Sequence, residues 1–312
     1  MGKYKLIKIL IKHGVLMATR WFLGVIRFRW LVIVSTLFIT LATGWGLSFL
    51  EMKSDYREFF SKTDPNRASF DRLQDTFSQS DAVLFVIAPA DGVVFQREVL
   101  QMVEELTTEA WQLPYSLRVD SLSNFQHTSA DEEGLLVENL VEDAATIDEA
   151  NISGIRDIAL NEKMLYRRLI TDASNVTAVA ATINFPGKSN DEFGEVADAA
   201  REIAAKYRAK YPDINIYLSG MVMGNTATTE VIEKDGELLV PLMGAIILFA
   251  LLLLLRSMYA TLATMLVILF TLVSALGLMG WIGFSITGPS SAAPIIILTM
   301  AVADCVHILL KV

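Results

Sequence analysis

The chain has 312 residues, 53% of them hydrophobic, a positive mean hydropathy and a formal net charge of −9. Strong apolarity joined to an acidic excess excludes one compact soluble domain of ordinary composition, and the acid excludes a nucleic-acid binder that works by neutralising phosphates. The single cysteine, Cys305, excludes an intrachain disulfide.

Charge is segregated along the chain. Residues 1–50 hold seven cations (Lys3, Lys5, Lys8, Lys12, Arg20, Arg27 and Arg29) and no acid. Residues 1–29 interleave these cations with Leu, Ile, Trp and Phe, which fits an interfacial helix on the inner leaflet or a plain positive topology flank. Residues 30–50 form a first apolar stretch long enough to span a bilayer. A cleaved signal peptide is the rival reading, but "LATGWGLSFLEMKSDY" offers no clear small-residue cleavage pattern.

Residues 51–237 hold 34 of the 35 acids and 17 of the 26 bases, a net charge of −17. "DAVLFVIAPA" from Asp81 reads as a buried strand stopped by the turn signal Asp91-Gly92. "FQREVLQMVEELTTEAWQL" then places Val99, Met102, Val103 and Leu106 at helical spacing, and a strand from Leu117 to Phe125 follows Pro114. Two helical pieces are expected, Glu132–Val141 and Ile147–Leu169. The strand-helix-strand pattern then recurs as "NVTAVAATINF", a helix from Asn190 to Tyr211, and "INIYLSG". Two such units predict an α+β domain of two split β-α-β lobes, side by side with a cleft between them.

Three further apolar stretches follow, at 238–255, 259–280 and 293–312. The turn at Arg256-Ser257 is tight, making an antiparallel hairpin of the two helices it joins. "GPSSAAP" at 288–294 is a loop that puts Pro294 in the first turn of the last helix. Gly277, Gly280 and Gly283 suit close packing of membrane helices. The seven leading cations, Arg256 and Lys311 all fall on one side if the first cations are cytoplasmic, which puts the acidic block outside the cell membrane.

Catalytic machinery is not visible in the acidic block. Its only histidine is His127, read as a surface residue, and its carboxylates are spread over solvated helices rather than clustered at metal-ligand or nucleophile spacing. "GMVMGNTATTE", with Gly220 and Gly224, lacks the Lys-Ser/Thr ending of a nucleotide-phosphate loop. The sequons at Asn151 and Asn175 are three-residue patterns, a weak signal on their own. An enzyme is therefore the least favoured class, and no metal or organic cofactor is implied.

The residues that stand out are Asp304 and His307, inside "APIIILTMAVADCVHILLKV". Counted from Pro294 at about 1.5 Å per residue, Asp304 lies roughly 15 Å deep, near the middle of a hydrocarbon core about 30 Å thick. A carboxylate there costs at least about 2.5 kcal/mol to insert, so it must face protein or water and can carry a proton across that zone. His307 follows three residues later on nearly the same helix face, and imidazole changes charge near neutral pH, which suits a relay. The plain alternative is a structural hydrogen-bonding pair between helices.

One helix, a large outer α+β domain and then clustered helices with an acid in the fourth resembles the first half of the resistance-nodulation-division (RND) superfamily, in its MmpL-like and hydrophobe-exporter branches. The local carriers are "MKSDYREFFSKTDPNRASFDRL", "LRVDSLSNFQHTSADEEGLLVENLV", "SGMVMGNTATTE" and "AVADCVHILL". The last is similar to the family's Gly-apolar-Asp-aromatic motif, with Val302-Ala303 before the acid and no glycine there, and Cys305 in place of the aromatic residue. The resemblance implies a proton-driven exporter of lipids or other hydrophobic molecules, with porter domains outside a bacterial inner membrane and Asp304 as the coupling acid. Its partners would be membrane lipids, a hydrophobic substrate and periplasmic accessory proteins, with the proton motive force in place of a cofactor. By that analogy a substrate path passes Met221 and Met223. The chain ends at the fourth helix, so these residues are expected to be the N-terminal half, completed by a second half or another copy. A lipid-binding or sterol-sensing-like membrane protein without pumping shares this topology. A sensory receptor would need a cytoplasmic module where Arg256-Ser257 leaves no room.

Overall fold

A computed structural model describes residues 24–51, 60–61, 63–77, 81–131, 134–189, 191–287 and 289–309. The interfacial segment from Lys3 to Arg20, the stretch "MKSDYREF" and Lys311 lie outside the described residues. The chain divides into two compact units, Lys53–Asp235 and Met1–Met52 with Gly236–Val312.

Leading into the polar unit is helix α2, Pro65–Phe77, which follows α1 (Arg29–Gly44) of the apolar unit. Asp64 accepts the Asn66 N–H at 2.7 Å and Pro65 occupies the first helical position, so both start signals are present. The alternation in "DAVLFVIAP" then builds β1, Asp81–Pro89, which buries Val83, Phe85 and Ile87 completely on one face. Helix α3, Arg97–Ala110, lays Val99, Met102, Val103 and Leu106 into the same core, and each is fully buried. Burial of an aliphatic or aromatic side chain of this kind contributes about 1.5–3 kcal/mol. Strand β2, Ser116–Asp120, stops short of Phe125 because Asn124 closes a turn: its Oδ1 accepts the Ser121 N–H at 2.8 Å and its Nδ2 donates to the Val119 carbonyl at 2.6 Å.

The second strand-helix-strand unit lies where the pattern puts it. Strand β5 (Thr177–Ile183), helix α5 (Glu192–Lys210) and strand β6 (Ile214–Ser219) repeat the first arrangement. The expectation of two lobes is wrong, however. All these strands form one sheet in the order β2-β5-β1-β6, with every neighbouring pair antiparallel. Each split unit leaves a slot between its own two strands, and the other unit's strand fills it: β5 lies between β1 and β2, and β1 lies between β5 and β6. The two units therefore interleave into one lobe, and among the described residues there are no two lobes for the expected cleft to lie between. At the end of β6, Gly220 (φ 103°) is required twice over, by its left-handed backbone and because a Cβ would overlap the Ala82 carbonyl.

Between β2 and β5 the chain inserts a hairpin and a helix. The hairpin pairs β3, Gln126–Asp131, with β4, Gly134–Asn139, which corrects the helix expected over Glu132–Val141. Leu135, Leu136 and Val137 form a short apolar run that periodicity cannot assign, and pairing with the strand before it decides the outcome. Helix α4, Glu149–Asn161, starts on Asp148, whose side chain accepts the Asn151 N–H at 2.8 Å. It ends well before Leu169, because Glu162 turns extended and the chain folds back through Arg167 in the left-handed region, φ 60°. Glu104 of α3 accepts the N–H groups of Asp143 and Ala144 at 3.2 and 3.0 Å, tying the insert to the sheet helices.

In the apolar unit, α1 continues into a 3-10 turn, Trp45–Phe49. Helix α6 is a single helix from Met221 to Leu255, so it begins well before the apolar stretch at 238. Its first turns belong to the polar unit, where Val222, Asn225 and Thr226 are buried and Arg201 of α5 grips Glu230 at 2.6 and 2.9 Å. Arg256, in the left-handed region, and Ser257, whose hydroxyl accepts the Ala260 N–H, separate α6 from α7, Met258–Ile282. Helix α8, Ala293–Leu309, follows a 3-10 turn at Pro289–Ala292. Helix α7 is central here and packs against both α1 and α8. It meets α1 through glycines: a Cβ on Gly277 would overlap the Thr43 carbonyl, and one on Gly280 would overlap the Gly46 carbonyl. Trp281 locks the crossing by donating to the Ala42 carbonyl at 3.1 Å and meeting Phe49 edge to face at 5.2 Å.

Candidate functional site

Helix α8 has two distinct faces. Half-buried residues recur in pairs at 293/294, 297/298, 301/302 and 305/306, and exposed residues recur at 295/296, 299/300, 303/304 and 307/308. The half-buried pairs form the side packed in the unit, where α7 is the principal neighbour. Asp304 and His307 both lie on the opposite side, with Ile296, Met300 and Ile308, which are 58%, 64% and 66% exposed. Asp304 stands eleven residues past the start of α8, about 16 Å along the helix at about 1.5 Å per residue. Among the described residues neither the Asp304 nor the His307 side chain takes part in a hydrogen bond or an ion pair, with the other or with anything else. The structure thus places the acid and the imidazole on one face and leaves that face without a described neighbour. A structural pairing of Asp304 across to another described helix is not formed.

Met221 and Met223 lie elsewhere. Met221 is the first residue of α6 and is 45% exposed, whereas Met223 is half-buried against the core of the α+β lobe. His127 sits on β3 directly across from Glu138 of β4, at a half-buried hairpin position. Among the described residues no three His, Cys, Asp or Glu side chains converge in a way that could hold a metal ion.

Sequence reasoning missed one recess in the lobe, of about 620 Å³, between the β1–α3 turn, the first turns of α4 and the turn at Ala173-Ser174. Its polar lining includes Arg97, Glu149, Arg156 and Ser174. These residues are scattered over some 80 positions of sequence, and no local spacing joins them. The one available signal was Asp148-Glu149 as the start of α4, which fixes where that helix presents Arg156.

Among the described residues, four helices long and apolar enough to cross a membrane, with a polar α+β lobe inserted after the first, define a multi-pass membrane protein. The MMPL family matches residues 66–306, from α2 through most of α8, and the chain belongs to that family of membrane transporters. A search of curated proteins gives no match.

Proposed function

We infer that the chain is the N-terminal half of a proton-driven exporter that moves lipids or other hydrophobic molecules out of a bacterial inner membrane. One observation carries the reading: Asp304 stands inside an apolar membrane helix, on its uncovered face, with no hydrogen bond or ion pair among the described residues. A carboxylate at that depth is retained only where it meets water, a cation or a proton. Proton uptake neutralises it and changes which arrangement of the helices is favoured, and this bias is the coupling an antiporter needs between inward and outward access. His307, one turn on and on the same face, hands the proton toward the cytoplasmic end. The facing group comes from a second half of the transporter or from another copy, seated against Ile296, Met300 and Ile308.

In this reading the N-terminus is cytoplasmic and the lobe is periplasmic, where accessory proteins can reach it, as the segregation of cations supports. Hydrophobic substrate passes the start of α6, where Met221 offers an exposed, adaptable thioether. The proton motive force is the energy source, and no cofactor takes part.

The test is pH-gradient-driven movement of a fluorescent phospholipid in proteoliposomes, with any separately encoded second half included, comparing wild type with Asp304→Asn. Loss of gradient-driven movement in a folded Asp304→Asn protein is the expected result. Equal movement in both proteins, or lipid binding without movement in either, contradicts the reading and favours a lipid-binding protein that does not pump.

A further inference from the structure

The recess in the α+β lobe has an excess of hydrogen-bond donors that the chain itself does not use. Arg97 gives its Nε and one Nη to the Ile147 carbonyl at 3.0 and 2.7 Å, which fixes the guanidinium plane and leaves the other Nη without a partner among the described residues. Arg156 lines the same recess and forms no ion pair or hydrogen bond among the described residues, although Glu149 lies on the same wall. Ser174 is the most telling member. It is only 7% exposed, it stands in the left-handed region at φ 56°, and its buried hydroxyl has no hydrogen-bond partner among the described residues. A buried hydroxyl without a partner loses its hydration for no return, and a strained backbone at the same residue adds to that cost. Both costs are recovered if a ligand accepts the hydrogen bond.

We propose that this recess binds an amphipathic monoanion, a carboxylate or phosphate group carried on a short apolar body. The planar guanidinium groups of Arg97 and Arg156 suit the two oxygens of such a group, and Ser174 supplies a further donor. Phe95 and Ile152 give the apolar contact for the body. Glu149 sets the charge limit, because a carboxylate on the wall repels ligands of high negative charge. The volume of about 620 Å³ lies within the ordinary range of small-molecule sites. The assignment does not rest on the transport reading, since every residue in it belongs to the polar unit.

Isothermal titration calorimetry on the full chain in an uncharged detergent tests the proposal, with hexanoate, dibutyryl phosphatidylglycerol and inorganic phosphate as probes and protein-free micelles as the blank. Saturable binding of hexanoate or of dibutyryl phosphatidylglycerol is expected. The first assigns a free carboxylate, the second a lipid-type phosphate head. Arg156→Gln weakens that binding by about tenfold, whereas Lys188→Gln, which removes the same charge from a loop outside the recess, leaves it unchanged. Ser174→Ala weakens binding without lowering the melting temperature of the ligand-free protein, because it deletes an unsatisfied group. The proposal is overturned by the absence of saturable binding, by binding of inorganic phosphate alone, by binding that Arg156→Gln leaves intact, or by a Ser174→Ala protein that melts lower and binds as before.

Discussion

In the α+β lobe, buried polar atoms are mostly matched by groups from elsewhere in the lobe. The Glu192 carboxylate, 4% exposed, accepts N–H groups from Gly187, Lys188 and Ser189, and the Thr107 hydroxyl of α3 shares hydrogen bonds with the Ser121 and Ser123 hydroxyls of the turn after β2. In the apolar helices, most hydroxyls turn back on their own helix: Thr261, Thr264, Thr271 and Thr299 each donate to the carbonyl four residues earlier, while Ser274 of α7 donates across to the Thr40 hydroxyl of α1 at 3.4 Å. Contacts between α1 and α7 rest largely on glycines that let backbones touch, with Trp281 donating to the Ala42 carbonyl. The same observation, a polar side chain without a partner, therefore means different things in the two units. On the lobe surface, water satisfies it. On a membrane helix there is no water to do so, and Asp304 becomes the residue to explain.

The comparison breaks first, and by the widest margin, at the glycines. Gly277→Leu drives a side chain into the Thr43 carbonyl, and a loss of about 3 kcal/mol is expected from overpacking of this kind. Gly244→Leu, at a position with nothing within 4 Å, is the control. Melting of both variants in detergent should separate them clearly, and equal melting would mean that the glycine contacts do not hold α1 to α7.

Next comes Glu192. Burial pushes its carboxyl upward, but the N–H groups of Lys188, Ser189 and Gly187 outweigh burial and hold it below the ordinary value of 4.5. A carboxyl depressed in the folded state stabilises fully above its unfolded value, and that contribution fades as the pH falls through the folded one. Glu192→Gln should cost about 2 kcal/mol at neutral pH. It should also flatten the acid side of the stability curve, below about pH 4.5, as followed by thermal melting against pH. An unchanged acid limb would show that the nest around this carboxylate contributes nothing.

Arg201 and Glu230 offer a smaller effect. Each guanidinium–carboxylate contact is short, at 2.6 and 2.9 Å, and Arg201 holds the Glu230 carboxyl below its ordinary range, but both side chains are exposed by 40% or more. Solvent screening limits the pair to about 0.5–1 kcal/mol, so Arg201→Gln should lower the melting temperature slightly, and less so in high salt. Smallest of all, Thr299→Ala removes a hydroxyl that only bonds the Ile295 carbonyl of its own turn, and should change stability by less than about 0.5 kcal/mol. A larger loss would place another segment against that face of α8.

Much of this architecture was legible from local pattern. Val83, Phe85 and Ile87 alternate, and Val99, Met102, Val103 and Leu106 recur at helical spacing, so β1 and α3 emerge close to their observed bounds. Pairing between strands was not legible. Ala82 opposite Thr182, and Val86 opposite Tyr217, join residues some 100 or more positions apart, and no periodicity encodes such a match. That is why two repeats suggested two lobes where the chain interleaves them into one. The run Gly134–Asn139 failed for a related reason, since its strand character comes from the pairing of His127 with Glu138 and of Thr128 with Val137. Asp304 was legible because a charge in an apolar run needs no tertiary context to stand out. Which face of α8 carries it was not, and Arg97, Arg156 and Ser174 come together only in the folded lobe.

The central claim, that Asp304 takes up a proton at membrane depth, is most directly tested by its chemistry. Dicyclohexylcarbodiimide partitions into membranes and modifies carboxylic acids in their protonated form. The full chain in vesicles would be treated at a series of pH values and the modified residue located by peptide mass spectrometry. The account predicts modification at Asp304, declining as the pH is raised, with no membrane-helix modification in Asp304→Asn and none of the exposed carboxylates of the lobe taking its place. Absence of modification at Asp304 across the whole series, or modification that ignores pH, would contradict it.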